Sequence, residues 1–186
     1  MKKIYSFLAV ATLTALSANA QTNLVTNGGF ENWTDDTTPV NFAPLASPSI
    51  NNFLTKEATT IHGGSFSAKH QSQDAATQYV EASELIDVTP GHSYTISYWY
   101  MDNSDAAKTR IWSAWLASGS TTQLDDNADV LRPAPASGED DTPYYSVDNP
   151  AWVQKTLTLT APAGAGRFRF QVRTYRQTTG VAGGYI

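Results

Sequence analysis

The sequence predicts an all-β domain, an antiparallel sandwich or jelly roll, behind an N-terminal export signal. Three observations predict it. Short runs of alternating apolar and polar residues recur along the chain, rich in Thr, Ser, Tyr, Trp and Val. Proline and glycine punctuate the gaps between them. No segment after residue 20 carries the longer period of an amphipathic helix.

The export signal occupies residues 1–20. Met1-Lys2-Lys3 is a short basic start, Ile4 through Leu16 is apolar apart from small hydroxyls, and Ala18-Asn19-Ala20 has the small-residue pattern of a cleavage site. A membrane-spanning helix needs about 20 apolar residues, so the run is too short to serve as one. Residues 21–186 then form one domain, secreted or displayed at the cell surface. The chain has 12 basic and 17 acidic residues, and loss of Lys2 and Lys3 leaves 10 against 17, a net charge of −7. That balance disfavours nucleic acid and anionic membrane as partners. With no cysteine, the exported domain relies on its core, and on any structural metal it holds.

Residues 34–52 read as a loop, with three prolines among Asn and Thr. Tyr79 through Val88 reads as a strand. Thr89-Pro90-Gly91 is a turn signal, and Tyr94 through Tyr100 is the strongest strand; the two are expected to pair as a hairpin. Along it Tyr94, Ile96, Tyr98 and Tyr100 share one face, while Thr95, Ser97 and Trp99 share the other. Arg110 through Leu116 is a further strand, with Trp112 on the Arg110 face and Trp115 on the Ile111 face. Residues 117–150 read as a long loop with acidic clusters. Trp152–Thr160 and Arg167–Tyr175 are read as a strand pair joined by the Pro- and Gly-containing segment 161–166. In the last strand Phe168, Phe170 and Val172 form a core face against a polar stripe.

Several of these segments resemble a known family. Asn23-Leu24-Val25-Thr26-Asn27-Gly28-Gly29-Phe30-Glu31 resembles the opening strand of jelly-roll carbohydrate-binding modules and galactose-binding-like domains. His62 through Ala68 is similar to their next strand entry, Asp87 through Tyr100 to their central hairpin, and Trp152 through Gly164 to their penultimate strand and turn. The style resembles exported proteins of Bacteroidetes. The resemblance implies a jelly roll whose last strand should begin near Gly183-Gly184-Tyr185-Ile186, so the sandwich is expected to lack its last strand. It also implies a structural calcium, with Glu31 as the matching ligand; one carboxylate is far short of the about 6–8 oxygens calcium takes. Asp125-Asp126-Asn127-Ala128-Asp129 lacks the glycine and closing glutamate of an EF-hand and reads as a solvated loop.

The candidate ligand surface comes from the outward positions. Trp99 and Trp112 offer flat faces for a sugar ring, and Arg169, Gln171, Arg173 and Tyr175 form a stripe of hydrogen-bonding groups. The competing reading makes the tryptophans core cover beneath a loop and the arginines solvated charges. Trp33 and Trp152 read as packing residues. His62, His70 and His92 lie in separate segments, no nucleophile elbow, P-loop or HExxH motif occurs, and Glu81 and Glu84 fall on opposite strand faces, so no catalytic site is expected. The expected function is a secreted non-catalytic module binding a polysaccharide or glycan. The alternatives are a structural or adhesive surface domain without a sugar ligand, and an accessory domain of a secreted hydrolase.

Overall fold

The computed structural model describes residues 22–44, 54–72, 78–82, 84–104, 107–124, 131, 146, 148–176 and 182–186. The expected signal (residues 1–20) and the acidic run Asp125–Asp129 lie outside them. Apart from Leu131, which is helical, the regular secondary structure is strand. No described helix is long and apolar enough to cross a membrane.

Fourteen strands make the described fold. They are β1 (Trp33–Asp35), β2 (Thr38–Pro39), β3 (Phe42–Pro44), β4 (Leu54–Glu57), β5 (Ser67–Ser72), β6 (Gln78–Ala82) and β7 (Ile86–Asp87). After these come β8 (Ser93–Asp102), β9 (Ala107–Ile111), β10 (Ala114–Ala117), β11 (Asn149–Thr160), β12 (Ala165–Arg169), β13 (Gln171–Arg176) and β14 (Ala182–Tyr185). One layer is a sheet of order β11-β8-β14-β5-β4. The other consists of β3-β6-β13-β9 and β10-β12-β7, and β1-β2 is a small ribbon apart.

The two parts of the second layer are continuous. β6 runs towards β7, β13 follows β12 across Phe170, and β9 leads to β10 across Trp112 and Ser113. All three interruptions meet at one level. There Gln171 N donates to Ser113 Oγ at 2.9 Å, and Ser113 Oγ donates to Gln171 O at 3.3 Å. A serine hydroxyl has taken the place of a ladder partner, and the sheet is creased where it does so. Side-chain alternation survives the crease. Ile111 and Trp115 both face the core on one strand, and Phe168, Phe170 and Val172 do so on its neighbour.

Alternation was therefore read correctly, but pairing was not. Residues 79–88 do not form a hairpin with 94–100. β6 and β7 pair with β13 and β12, whereas β8 pairs with β11 over its whole length. The Thr89–Gly91 turn is real, with His92 N donating to Thr89 O and Gly91 at φ 80, but it carries the chain from one layer to the other. Likewise 152–160 and 167–175 are not partners, because the turn at Gly164 (φ 85) also changes layer. The segment 34–52 is not simply a loop: β1 to β3 occupy much of its described part. Nor is Asn23–Glu31 a strand. It turns at Asn27, whose side-chain amide donates to the carbonyls of Asn32 and Val40. A strand stands where the last one was expected to be missing: β14 pairs with β5 over four residues and meets β8 at Tyr185–Met101.

The core lies between the layers. Trp115 is buried against Phe168, with ring centres 4.8 Å apart, and Phe30 packs on Phe42 at 4.5 Å. Leu54, Ile96 and Val172 fill the space beside them. Each large apolar side chain so buried contributes about 1.5–3 kcal/mol. The outer face of β8 and β11 carries a hydroxyl ladder instead: Ser93–Thr160, Thr95–Thr158 and Ser97–Thr156 pair at 3.2, 3.1 and 3.3 Å.

Candidate functional site

Four of the six predicted ligand-binding residues gather on the outward face of the second layer. Gln171, Arg173 and Tyr175 alternate along β13, and the ladder with β9 sets Arg173 opposite Arg110. The Arg110 guanidinium lies 4.4 Å from the Trp112 ring centre and 4.8 Å from that of Tyr175. Its Nη2 donates to the Tyr175 hydroxyl at 3.1 Å. Arg173 sits over the same indole, 4.1 Å from its centre, and its Nε donates to Gln171 Oε1 at 2.6 Å. Two cations thus share one tryptophan. Each such contact is worth about 0.5–2 kcal/mol depending on how dry it is.

Arg110 and Gln171 are buried, whereas Trp112, Arg173 and Tyr175 are half-buried. The array is therefore held from below and partly open above. Chemically it offers aromatic surface beside planar guanidinium donors, a combination suited to a ring bearing hydroxyls or an acidic group. Arg110 was not among the predicted residues. The signal was present, since it alternates with Trp112 on one face, but its bond to Tyr175 depends on a pairing of strands 65 residues apart.

Trp99 belongs to the other layer. It is 37% exposed, as its outward position implies, and His62 stacks on it with ring centres 4.0 Å apart and planes 20° from parallel. Trp152 meets the same imidazole edge-on at 5.6 Å, so it does more than pack. His62 lies on a bend and carries no periodic signal. All three help line a cavity of about 700 Å³ that runs between the layers beside β8. Arg169 lies on β12 opposite Ala114, on the far side of the crease from β13.

Glu31 is engaged by backbone. Its carboxylate accepts from Ser65 N at 3.0 Å and from Phe66 N at 3.4 Å. Among the described residues no three His, Cys, Asp or Glu side chains gather to hold a metal. A lone carboxylate turned to two loop amides does not by itself fit a calcium ion.

Two buried titratable groups lie apart from both aromatic clusters. Asp102 is buried and accepts from the Ser146 hydroxyl, and burial pushes its carboxyl up to about 6. His70 is fully buried, and burial lowers it to about 3, so it is neutral in the folded state. Thr174 Oγ1 lies 3.4 Å from its Nδ1 and 3.0 Å from Thr109 Oγ1.

No family model matches the sequence, and no curated protein matches it. Solved structures do resemble it. The enzymatically active domain of tailspike protein 4 from bacteriophage CBA120 superposes with a TM-score of 0.54 at 15% identity, over 88% of this chain and 20% of that one. The likeness is one of fold. This chain thus spans about a fifth of that tailspike structure. A family 16 carbohydrate-binding module gives a TM-score of 0.46 at 12% identity, over 86% of this chain and 99% of its own. TmCBM61 in complex with β-1,4-galactotriose gives 0.46 at 14% identity, over 89% and 94%. The protein is an antiparallel β-sandwich.

Proposed function

We propose that residues 1–20 direct export and that the domain after them binds a glycan without transforming it. The observation that carries this reading is the Arg173–Trp112–Arg110–Tyr175 array. It sets aromatic rings beside two fixed guanidinium groups on an outward sheet face. Aromatic rings supply contact area at small entropic cost, and the forked donors favour a sugar carrying a carboxylate or sulfate. One or two stacked rings support affinities in the micromolar to millimolar range once association entropy is met.

A second reading places the sugar at Trp99, favoured by its exposure beside the cavity it helps line. Calorimetric titration with neutral, uronate and sulfated oligosaccharides tests both. The expected result is that Trp112→Ala and Arg173→Ala each weaken binding about tenfold, roughly 1.4 kcal/mol, while Trp99→Ala leaves it unchanged. Loss with Trp99→Ala alone moves the site to the other layer. No retention of any glycan overturns the proposal.

A further inference from the structure

The exposed tryptophan of the first layer already has a ring on it. His62 stacks on Trp99 with ring centres 4.0 Å apart and planes 20° from parallel. Flat rings touch at about 3.5–4 Å, so nothing fits between these two, and one face of the indole is taken. Both side chains are exposed, so burial of the imidazole does not account for the contact. The loop that carries His62 does.

That loop, residues 58–66, joins β4 to β5 and is braced at both ends. At its start Glu57 Oε1 accepts from Thr59 N at 2.6 Å and from Thr60 N at 3.3 Å, and Ser67 Oγ donates to Thr60 O at 2.6 Å. At its end the Glu31 carboxylate, from a segment distant in sequence, accepts from Ser65 N at 3.0 Å and from Phe66 N at 3.4 Å. Hydrogen bonds to an ionised acceptor are about twice as strong as neutral ones. Between the braces lie His62, Gly63 and Gly64. Gly64 has φ 73, and a Cβ on it would lie 2.1 Å from Glu31 Oε1. Glycine at this position is what lets the carboxylate lie against the loop.

The surface beside the covered ring is uncharged. Ser97 and Thr95 continue the outward face of β8, and Gln154 and Thr156 stand opposite Trp99 and Ser97 on β11. Gln154 Nε2 donates to Ser97 Oγ at 2.9 Å, and Ser97 Oγ lies 3.3 Å from Thr156 Oγ1. Hydroxyl and amide groups next to an indole suit a neutral sugar, whose hydroxyls meet the polar side chains while its C–H face meets the ring.

We propose that His62 is a built-in cover on a second, neutral-sugar site centred on Trp99, and that Glu31 is the positioning residue that keeps the cover in place. This inference rests on the Trp99 reading of the sugar site and not on the Arg173–Trp112 array. It gives a reason to expect no effect of Trp99→Ala in the native protein, because the chain's own imidazole fills the face that would stack.

Two readouts test it. Hydroxyl-radical footprinting read by peptide mass spectrometry reports the cover without any sugar. Trp99 should oxidise about twofold faster in His62→Ala, with one more face open, and equally fast in Glu31→Ala. Glu31→Gln, which keeps an acceptor oxygen for Ser65 N, should stay close to the native rate. Calorimetric titration with neutral β-1,4-linked oligosaccharides of glucose, xylose and galactose reports the site. His62→Ala should gain binding in the millimolar range that the native protein lacks and that the double variant His62→Ala/Trp99→Ala loses again. No gain, or a gain that survives the loss of Trp99, overturns the neutral-sugar site. Equal oxidation of Trp99 in the native protein and His62→Ala overturns the cover, and a native rate in Glu31→Ala overturns the part given to Glu31. Failure of the Arg173–Trp112 array to bind acidic sugars alters none of these results, so the two readings fail separately.

Discussion

Replacing Asp102 by asparagine should expose a pH dependence that the native protein conceals. His70 has a folded pKa of about 3 against 6.5 when free, so the unfolded chain takes up the proton first. Its contribution to stability is complete above pH 6.5 and is lost as pH falls towards 3. Asp102 works in the opposite sense. Its folded pKa is about 6 against 3.8, so the native state takes up the proton first and gains stability as pH falls from 6 towards 3.8. Between pH 7 and pH 5 the histidine costs roughly 2 kcal/mol and the aspartate returns roughly 1 kcal/mol, so the two largely offset each other. Asp102→Asn removes the compensating part. Urea unfolding followed by tryptophan fluorescence at pH 7, 6 and 5 should show the variant losing roughly 2 kcal/mol over that range, distinctly more than the native protein loses. Carboxylates that titrate at lower pH are common to both proteins and cancel in the difference. Parallel stability curves for the two proteins would refute the assignment of a raised pKa to Asp102, and a variant that gained stability on acidification would refute the role of His70.

Two further substitutions probe the packing. Leu54 is 0% exposed on β4, so Leu54→Ala should cost about 2–5 kcal/mol in the same unfolding assay, and a loss below 1 kcal/mol would mean the site collapses freely. A Cβ on Gly166 would lie 2.6 Å from Ser118 Cα, a backbone atom that cannot rotate aside, whereas one on Gly63 meets nothing within 4 Å. Gly166→Ala should therefore lower the thermal midpoint by several degrees, about 1–3 kcal/mol, while Gly63→Ala changes it little.

The faces of the strands were legible because alternation is local. Tyr94, Ile96 and Tyr98 inward with Trp99 outward, and Trp115 with Ile111 against Trp112 with Arg110, follow from the period of two alone. Strand partners were not legible. The turn residues at Thr89–Gly91 and at Gly164 announce a reversal of direction, but the same chemistry serves a hairpin within a sheet and a passage between layers. What decides is which faces must be buried together, and that is settled by contacts distant in sequence. The candidate site divides along the same line. Trp112 could be placed beside Arg110 from spacing, and Gln171, Arg173 and Tyr175 beside one another. That the two sets share a surface required the β9–β13 ladder. Trp99 was separated from them for the same reason, because β8 belongs to the opposite layer. His62 sits on a bend where no periodicity exists to read.

The crease in the second layer has a consequence for how this protein tolerates changes in length. Three neighbouring strands break their ladder at one level, yet each resumes with its inside and outside residues in phase. Parity is what must be conserved there. Adding or removing two residues at Ser113 or Phe170 keeps Trp115 and Val172 under cover, and only the bend deepens or relaxes. A change of one residue would turn every later side chain in that strand over, sending Trp115 outward after Ser113, or Arg173 inward and Val172 outward after Phe170. Natural insertions at this level should accordingly come in even numbers.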